Sequence, residues 1–156
     1  YTLPFLSEGT KGPNGERGQG RGAAHVVACE WNPVSVKALG WSLSKNGLSE
    51  RCTVIEGDNQ DQEFQPEFDR INLGLLPSSE DGYTLALQAL KPEGGMLHVH
   101  GLASGGNEDE WATNLVQTLE KIGSFSCSVE HIERVKWYAP HQRHIVVDIR
   151  ASPVSG

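Results

Sequence analysis

A chain of 156 residues with three cysteines and 20 acidic against 13 basic residues carries a formal net charge of −7. That length makes one domain with a real core, and that charge argues against a domain that grips nucleic acid through its overall field. No apolar run approaches the roughly 20 residues of a membrane span, no basic-then-apolar leader opens the chain, and three cysteines without ligand spacing read as reduced thiols of an intracellular, cytoplasmic protein.

Residues 1–6 read as the first turn of a helix. Residues 9–22 are nearly half glycine and contain no apolar residue. Such a segment cannot bury enough surface to offset its ordering entropy, so it reads as a flexible insertion. Its glycines match neither the dinucleotide nor the P-loop spacing, which disfavours a phosphate cradle.

From His25 the chain alternates strand and helix. His25 to Glu30 is a strand, and Asn32 caps a helix with Pro33 at its first position, where the missing N–H costs nothing. Val36, Leu39 and Leu43 give that helix one apolar face, Gly40 weakens its middle, and Asn46-Gly47 ends it. Cys52 to Glu56 and Ile71 to Leu76 are further strands, the second a continuous apolar run of the kind buried on both faces. Ser78-Ser79-Glu80-Asp81 opens a helix whose Tyr83, Ala86, Leu87 and Leu90 share a face, and Lys91-Pro92 stops it. Met96 to His100 is a strand. Asn107 to Ile122 is a helix with Glu108, Asp109 and Glu110 at its positive end, Trp111, Leu115, Leu119 and Ile122 inward, and Gly123 as its cap. Ser126 to Lys136 and His144 to Arg150 are strands joined so briefly that they must be antiparallel, with Ile145, Val147 and Ile149 on one face. The expected architecture is a single α/β domain over residues 1–156, its sheet mostly parallel with an antiparallel strand near the C-terminus.

In a doubly wound sheet, ligands bind outside the carboxyl ends of the strands. Glu30 stands at such an end and could accept hydrogen bonds from the two hydroxyls of a ribose. Asp58 or Asn59, one strand-helix-strand unit further on, could pair with an adenine amino group. The plain alternative for each acid is a capping residue between strand and helix. His98 and His100 face the same way on one strand, with His141 and His144 downstream. No acid or cysteine stands at ligand spacing beside them, so no metal site is expected. Ser78-Ser79 lacks the Gly-x-Ser-x-Gly elbow of a nucleophile and reads as a helix cap. Arg134, Lys136 and Arg143 gather late with those histidines, as a solvated strand edge or as a rim that contacts phosphate.

Several motifs carry a resemblance. They are Tyr-Thr-Leu-Pro-Phe-Leu (1–6), Ala-Cys-Glu-Trp-Asn-Pro (28–33), Asn-Gly-Leu-Ser-Glu-Arg-Cys (46–52) and Gly-Asp-Asn (57–59). Further along come Asp-Arg-Ile-Asn-Leu-Gly-Leu-Leu-Pro-Ser-Ser-Glu (69–80), Gly-Gly-Met-Leu-His-Val-His (94–100) and Tyr-Ala-Pro-His (138–141). Together they resemble the catalytic domain of the tRNA wybutosine-synthesising protein 2 family, in its animal form. The resemblance covers nearly everything outside residues 7–22, and its most specific part is Gly-Leu-Leu-Pro-Ser-Ser; the related tRNA guanine-N1 methyltransferases carry Asn-Leu-Pro there.

The resemblance implies a Rossmann-like class I methyltransferase fold that uses S-adenosylmethionine. It implies transfer of the 3-amino-3-carboxypropyl group to C7 of 4-demethylwyosine, beside the anticodon of phenylalanine tRNA. Carried over residue by residue, Glu30 would hold the ribose and Asp58 with Asn59 the adenine. Leu76, Pro77 and Ser78 would wall the reacting centre. The family's first strand, its Asp-Leu-Tyr-Ala-Gly-Ile-Gly-Tyr-Phe loop and its upstream tRNA-binding region are expected before Tyr1. The alternatives are a tRNA guanine-N1 methyltransferase and a truncated, non-catalytic fragment.

Overall fold

The computed structural model describes residues 2–6, 22–123 and 125–154. The chain divides into two compact units, residues 1–62 and 63–156. Residues 9–21 of the glycine-rich segment lie outside the described residues.

The first unit holds α1 (Thr2–Leu6), β1 (Val26–Glu30), α2 (Pro33–Lys45) and β2 (Cys52–Glu56). β1 and β2 pair in parallel from Val26 opposite Cys52 to Glu30 opposite Glu56, and a parallel pair needs a crossover, here α2. The local chemistry of α2 is as expected. Asn32 accepts the Val34 N–H on Oδ1 at 2.9 Å, with Pro33 following. At the far end Gly47 turns the chain at φ 65°. Leu43 is buried, Val36 and Leu39 are half-buried, and Val34 and Trp41 lie on the exposed side.

The second unit holds β3 (Arg70–Leu73), α3 (Tyr83–Ala89), β4 (Gly95–Ser104), α4 (Glu108–Ile122), β5 (Phe125–Ala139) and β6 (Gln142–Pro153). Its sheet runs in the order β3-β4-β6-β5. β3 and β4 are parallel, and β6 is antiparallel to both its neighbours. The core forms on one face of this sheet. Leu97 and Val99 of β4 and Ile145, Val147 and Ile149 of β6 are buried against Tyr83, Ala86, Leu87 and Leu90, and against Leu115 and Leu119 of α4. The alternation of β6 and the helical faces of α3 and α4 thus put the expected residues inside.

Several details differ from the sequence expectation. β3 ends at Leu73, because Gly74 and Pro77 interrupt the apolar run and Pro77 has no N–H for a ladder. α3 begins only at Tyr83, preceded by a 3-10 turn over Glu80–Gly82. β4 runs on to Ser104, since β6 pairs with it as far as Gln142. Ile122 is 42% exposed, as the helix ends there and Leu119 is its last buried residue. Gly123 leaves α4 extended at φ −116°, with its N–H on the Leu119 carbonyl, so it is not a left-handed cap.

Candidate functional site

In the first unit, the carboxyl ends of β1 and β2 form one acidic edge. Glu30 stands directly opposite Glu56 in the ladder, and the Gly57 N–H bonds the Glu30 carbonyl at 3.1 Å. Gly57 then turns at φ 140°, a conformation that favours glycine, and delivers Asp58 to the same edge. Each of the two acids singled out in the sequence caps a local backbone group. Oε1 of Glu30 accepts the Asn32 N–H at 2.8 Å, and Oδ1 of Asp58 accepts the Gln60 N–H at 2.9 Å, opening the 3-10 turn Asn59–Asp61. The capping alternative is therefore realised for both. It occupies one oxygen of each carboxylate and fixes its direction. The second oxygens, Oε2 of Glu30 and Oδ2 of Asp58, take no hydrogen bond among the described residues. An acid that sequence reasoning did not assign, Glu56, is the true register partner of Glu30. Asp58 is exposed and Asn59 half-buried.

In the second unit, the turn after β3 carries Leu76, Pro77 and Ser78. The Leu76–Pro77 peptide is cis. Ser78 Oγ accepts the Glu80 N–H at 3.2 Å at the start of the 3-10 turn, whereas α3 itself begins after Gly82 with no side-chain cap, so the expected helix cap is displaced to the turn before it. Ser79 does something the sequence did not signal. It is 4% exposed, and its hydroxyl lies 2.9 Å from both the Leu73 and the Leu75 carbonyl oxygens. One O–H thus clasps the turn from its end to its beginning.

A family model described as the TRM5/TYW2 methyltransferase domain matches residues 19–132. That is most of the chain. It belongs to this family. Among relatives, the tRNA wybutosine-synthesizing protein 2/3/4 of Arabidopsis thaliana is 48% identical over 96% of this chain and 14% of its own length. The tRNA wybutosine-synthesizing protein 2 homolog of Danio rerio is 33% identical over 99% of this chain and 44% of its own. The likeness is thus greater to the plant protein than to the animal one, against the sequence expectation, and the chain spans less than half the length of either. Among solved structures, M. jannaschii TYW2 in complex with AdoMet superposes with a TM-score of 0.77 at 25% identity, over 84% of this chain and 59% of that one. The fold is Rossmann-like, of the class I methyltransferase type. In the second unit of this TRM5/TYW2 domain the antiparallel strand is β6, lying between β4 and β5.

Two polar pairs lie along the β4–β6 ladder of the TRM5/TYW2 domain. His98 Nδ1 is 2.6 Å from Asp148 Oδ1, an acid that chain spacing hides and the antiparallel register supplies. His100 Nδ1 is 3.0 Å from His144 Nε2, both rings buried. Burial lowers both titrations, His100's further through the neighbouring His144 and His98 and His144's through Lys136. His141 sits in the exposed hairpin turn instead. Among the described residues no group of three or more His, Cys, Asp or Glu could hold a metal ion. No described helix is long and apolar enough to cross a membrane. Burial pushes the Cys127 thiol up to about 11, with Glu120 adding to it, and raises Cys29 and Cys52 as well. None of the three is a ready thiolate nucleophile near neutral pH.

Proposed function

We propose that this chain supplies the S-adenosylmethionine-binding part of an enzyme that moves the 3-amino-3-carboxypropyl group onto C7 of 4-demethylwyosine in phenylalanine tRNA. The observation that carries the reading is the acidic edge of β1 and β2. There Glu30 keeps one carboxylate oxygen fixed on the Asn32 N–H and the other open. The names of the relatives in Arabidopsis thaliana and Danio rerio point to the same pathway.

On this reading Glu30 accepts hydrogen bonds from the ribose hydroxyls. Asp58 accepts from the adenine amino group, with Asn59 beside it. Leu76, Pro77 and Ser78 wall the reacting centre. The donor's sulfonium makes its three attached carbons electrophilic. The protein's task is to hold one of them in line with the acceptor at roughly 3–3.5 Å. Transfer of the aminocarboxypropyl group breaks that carbon–sulfur bond, forms the bond to C7, and releases the C7 proton and methylthioadenosine. No acid–base residue of unusual titration is required of this chain; orientation is the main demand.

The test uses the complete protein, hypomodified tRNA, and donor labelled separately in the methyl and the aminocarboxypropyl groups. Aminocarboxypropyl label in the tRNA with methylthioadenosine as product is the expected result. Methyl label alone, with S-adenosylhomocysteine, would establish the second reading, a tRNA guanine-N1 methyltransferase, which the paired family description also accommodates. Calorimetry on the 156-residue chain asks whether it binds the donor by itself. Micromolar binding is expected, and its absence would favour a non-catalytic fragment.

A further inference from the structure

We propose that the tip of the β5–β6 hairpin is a contact surface for single-stranded RNA, with Trp137 as its stacking platform. The inference rests on the reading that the substrate is a tRNA and names the part of this chain that touches it.

The charge of the tip departs from that of the chain. Arg134, Lys136 and Arg143 fall between residues 134 and 144 with no acid among them, while the whole carries −7. Among the described residues one carboxylate from another element pairs with them: Glu108 at the start of α4, 4% exposed, with Oε1 3.7 Å from Arg134 Nε and 3.5 Å from Arg143 Nε. It also accepts the Gly106 N–H at 3.0 Å. Glu108 holds two guanidinium groups without cancelling both, and exposed Lys136 enters no ion pair among the described residues, so the tip stays positive.

The same tip displays aromatic surface. Trp137 is 57% and Tyr138 54% exposed. The indole is held before any ligand arrives. Arg143, its cross-strand partner, places Cζ 4.1 Å from the ring centroid. The ring edge packs on Gly105, where a Cβ would stand 2.5 Å from it. The ladder is irregular at Arg134/Lys136 and Trp137/Ala139, and His141 turns the tip at a left-handed φ of 63°. Trp137 and Tyr138, with Ala139, Pro140 and His141, line an open hollow of about 370 Å³.

Fixed aromatic faces with adjoining guanidinium groups are how proteins take unstacked nucleobases and their phosphates. Pre-fixing the ring lowers the entropy cost of binding. An acidic peptide would use the cations and leave the indole and phenol idle. Single-stranded RNA uses both.

The test is fluorescence anisotropy of a labelled eight-nucleotide oligouridylate with the 156-residue chain across a salt series. Trp137→Ala should weaken binding about tenfold, within the range for one stacked base, and Trp137→Phe should restore most of it. Lys136→Glu, at an exposed position, should weaken binding and flatten the salt slope by at least about 0.7, the value for one phosphate contact on a single strand. Trp41→Ala, removing another exposed indole with a lysine over it, should change nothing. Unchanged binding by both Trp137→Ala and Lys136→Glu overturns the inference while leaving the tRNA reading intact. So does equal affinity for polyglutamate. Absence of RNA binding by the unsubstituted chain also overturns it, and the labelled-donor assay then decides the tRNA reading separately.

Discussion

Ser79 holds the turn after β3 with a single buried hydroxyl between the Leu73 and Leu75 carbonyls. Ser79→Ala leaves those carbonyls short of a donor, and chemical denaturation should show a loss of about 1–2 kcal/mol. Since the clasp also fixes Leu76, Pro77 and Ser78, transfer by the complete enzyme should fall with it. At the acidic edge, Glu30→Gln keeps an oxygen for the Asn32 N–H but removes the charge. Donor affinity measured by calorimetry should drop roughly 10-fold or more, as for loss of hydrogen bonds to a charged group, with little change in melting temperature. An unchanged affinity would remove Glu30 from the ribose. These residues differ in legibility. Glu30 is visible in the sequence because a strand pattern ends on it. The pairing of Glu30 with Glu56 is set by ladder register, which neither segment encodes alone. The role of Ser79 depends on a turn closing over six residues, and nothing in its neighbours' periodicity reveals that.

Among the elements, α2 carries a removable defect. A Cβ on Gly40 would meet nothing within 4 Å, so the glycine is not there for packing. Gly40→Ala should raise stability by about 0.5–1 kcal/mol through helix propensity, read as a higher denaturation midpoint. Gly101 in β4 is the opposite case. A Cβ there would sit 2.1 Å from the Trp111 ring, and Gly101→Ala should cost about 1–3 kcal/mol as the indole is displaced. The elements themselves were legible where one physical pattern dominates: the capped start of α2, the alternation of β6, the apolar face of α3. They were less so where tertiary pairing overrides local preference. β4 and β5 extend well past their apolar stretches because β6 supplies a partner along their length, and β3 stops early although leucines follow it.

Over the whole molecule, acid should act in two stages. His100 and His144 titrate below the ordinary value of 6.5 when folded, so the unfolded chain binds those protons first. Their stabilisation is full above that pH and declines as pH falls through it toward their lower folded values. Glu108 is lowered from 4.5, through a hydrogen bond to its own backbone, the Gly106 N–H and the two arginines, against burial. Its contribution is present above about 4.5 and is lost as pH falls toward its lower folded value. Thermal melts from pH 8 to pH 3 should fall first near 6.5 and again below about 4.5, and His144→Gln should flatten the first decline alone. An unaltered first stage in that variant would assign it elsewhere.

The bond between His100 Nδ1 and His144 Nε2 holds one hydrogen between two nitrogens. One ring must donate and the other accept, which fixes complementary tautomers. His144 Nδ1 is buried and has no hydrogen-bond partner among the described residues, so a second proton there would have nowhere to bond. The arrangement gives the sheet an internal clock. That imidazole hydrogen meets solvent only when the two buried rings become exposed, and its exchange rate with deuterium, followed by nitrogen-15 resonance of the two rings, times that local opening.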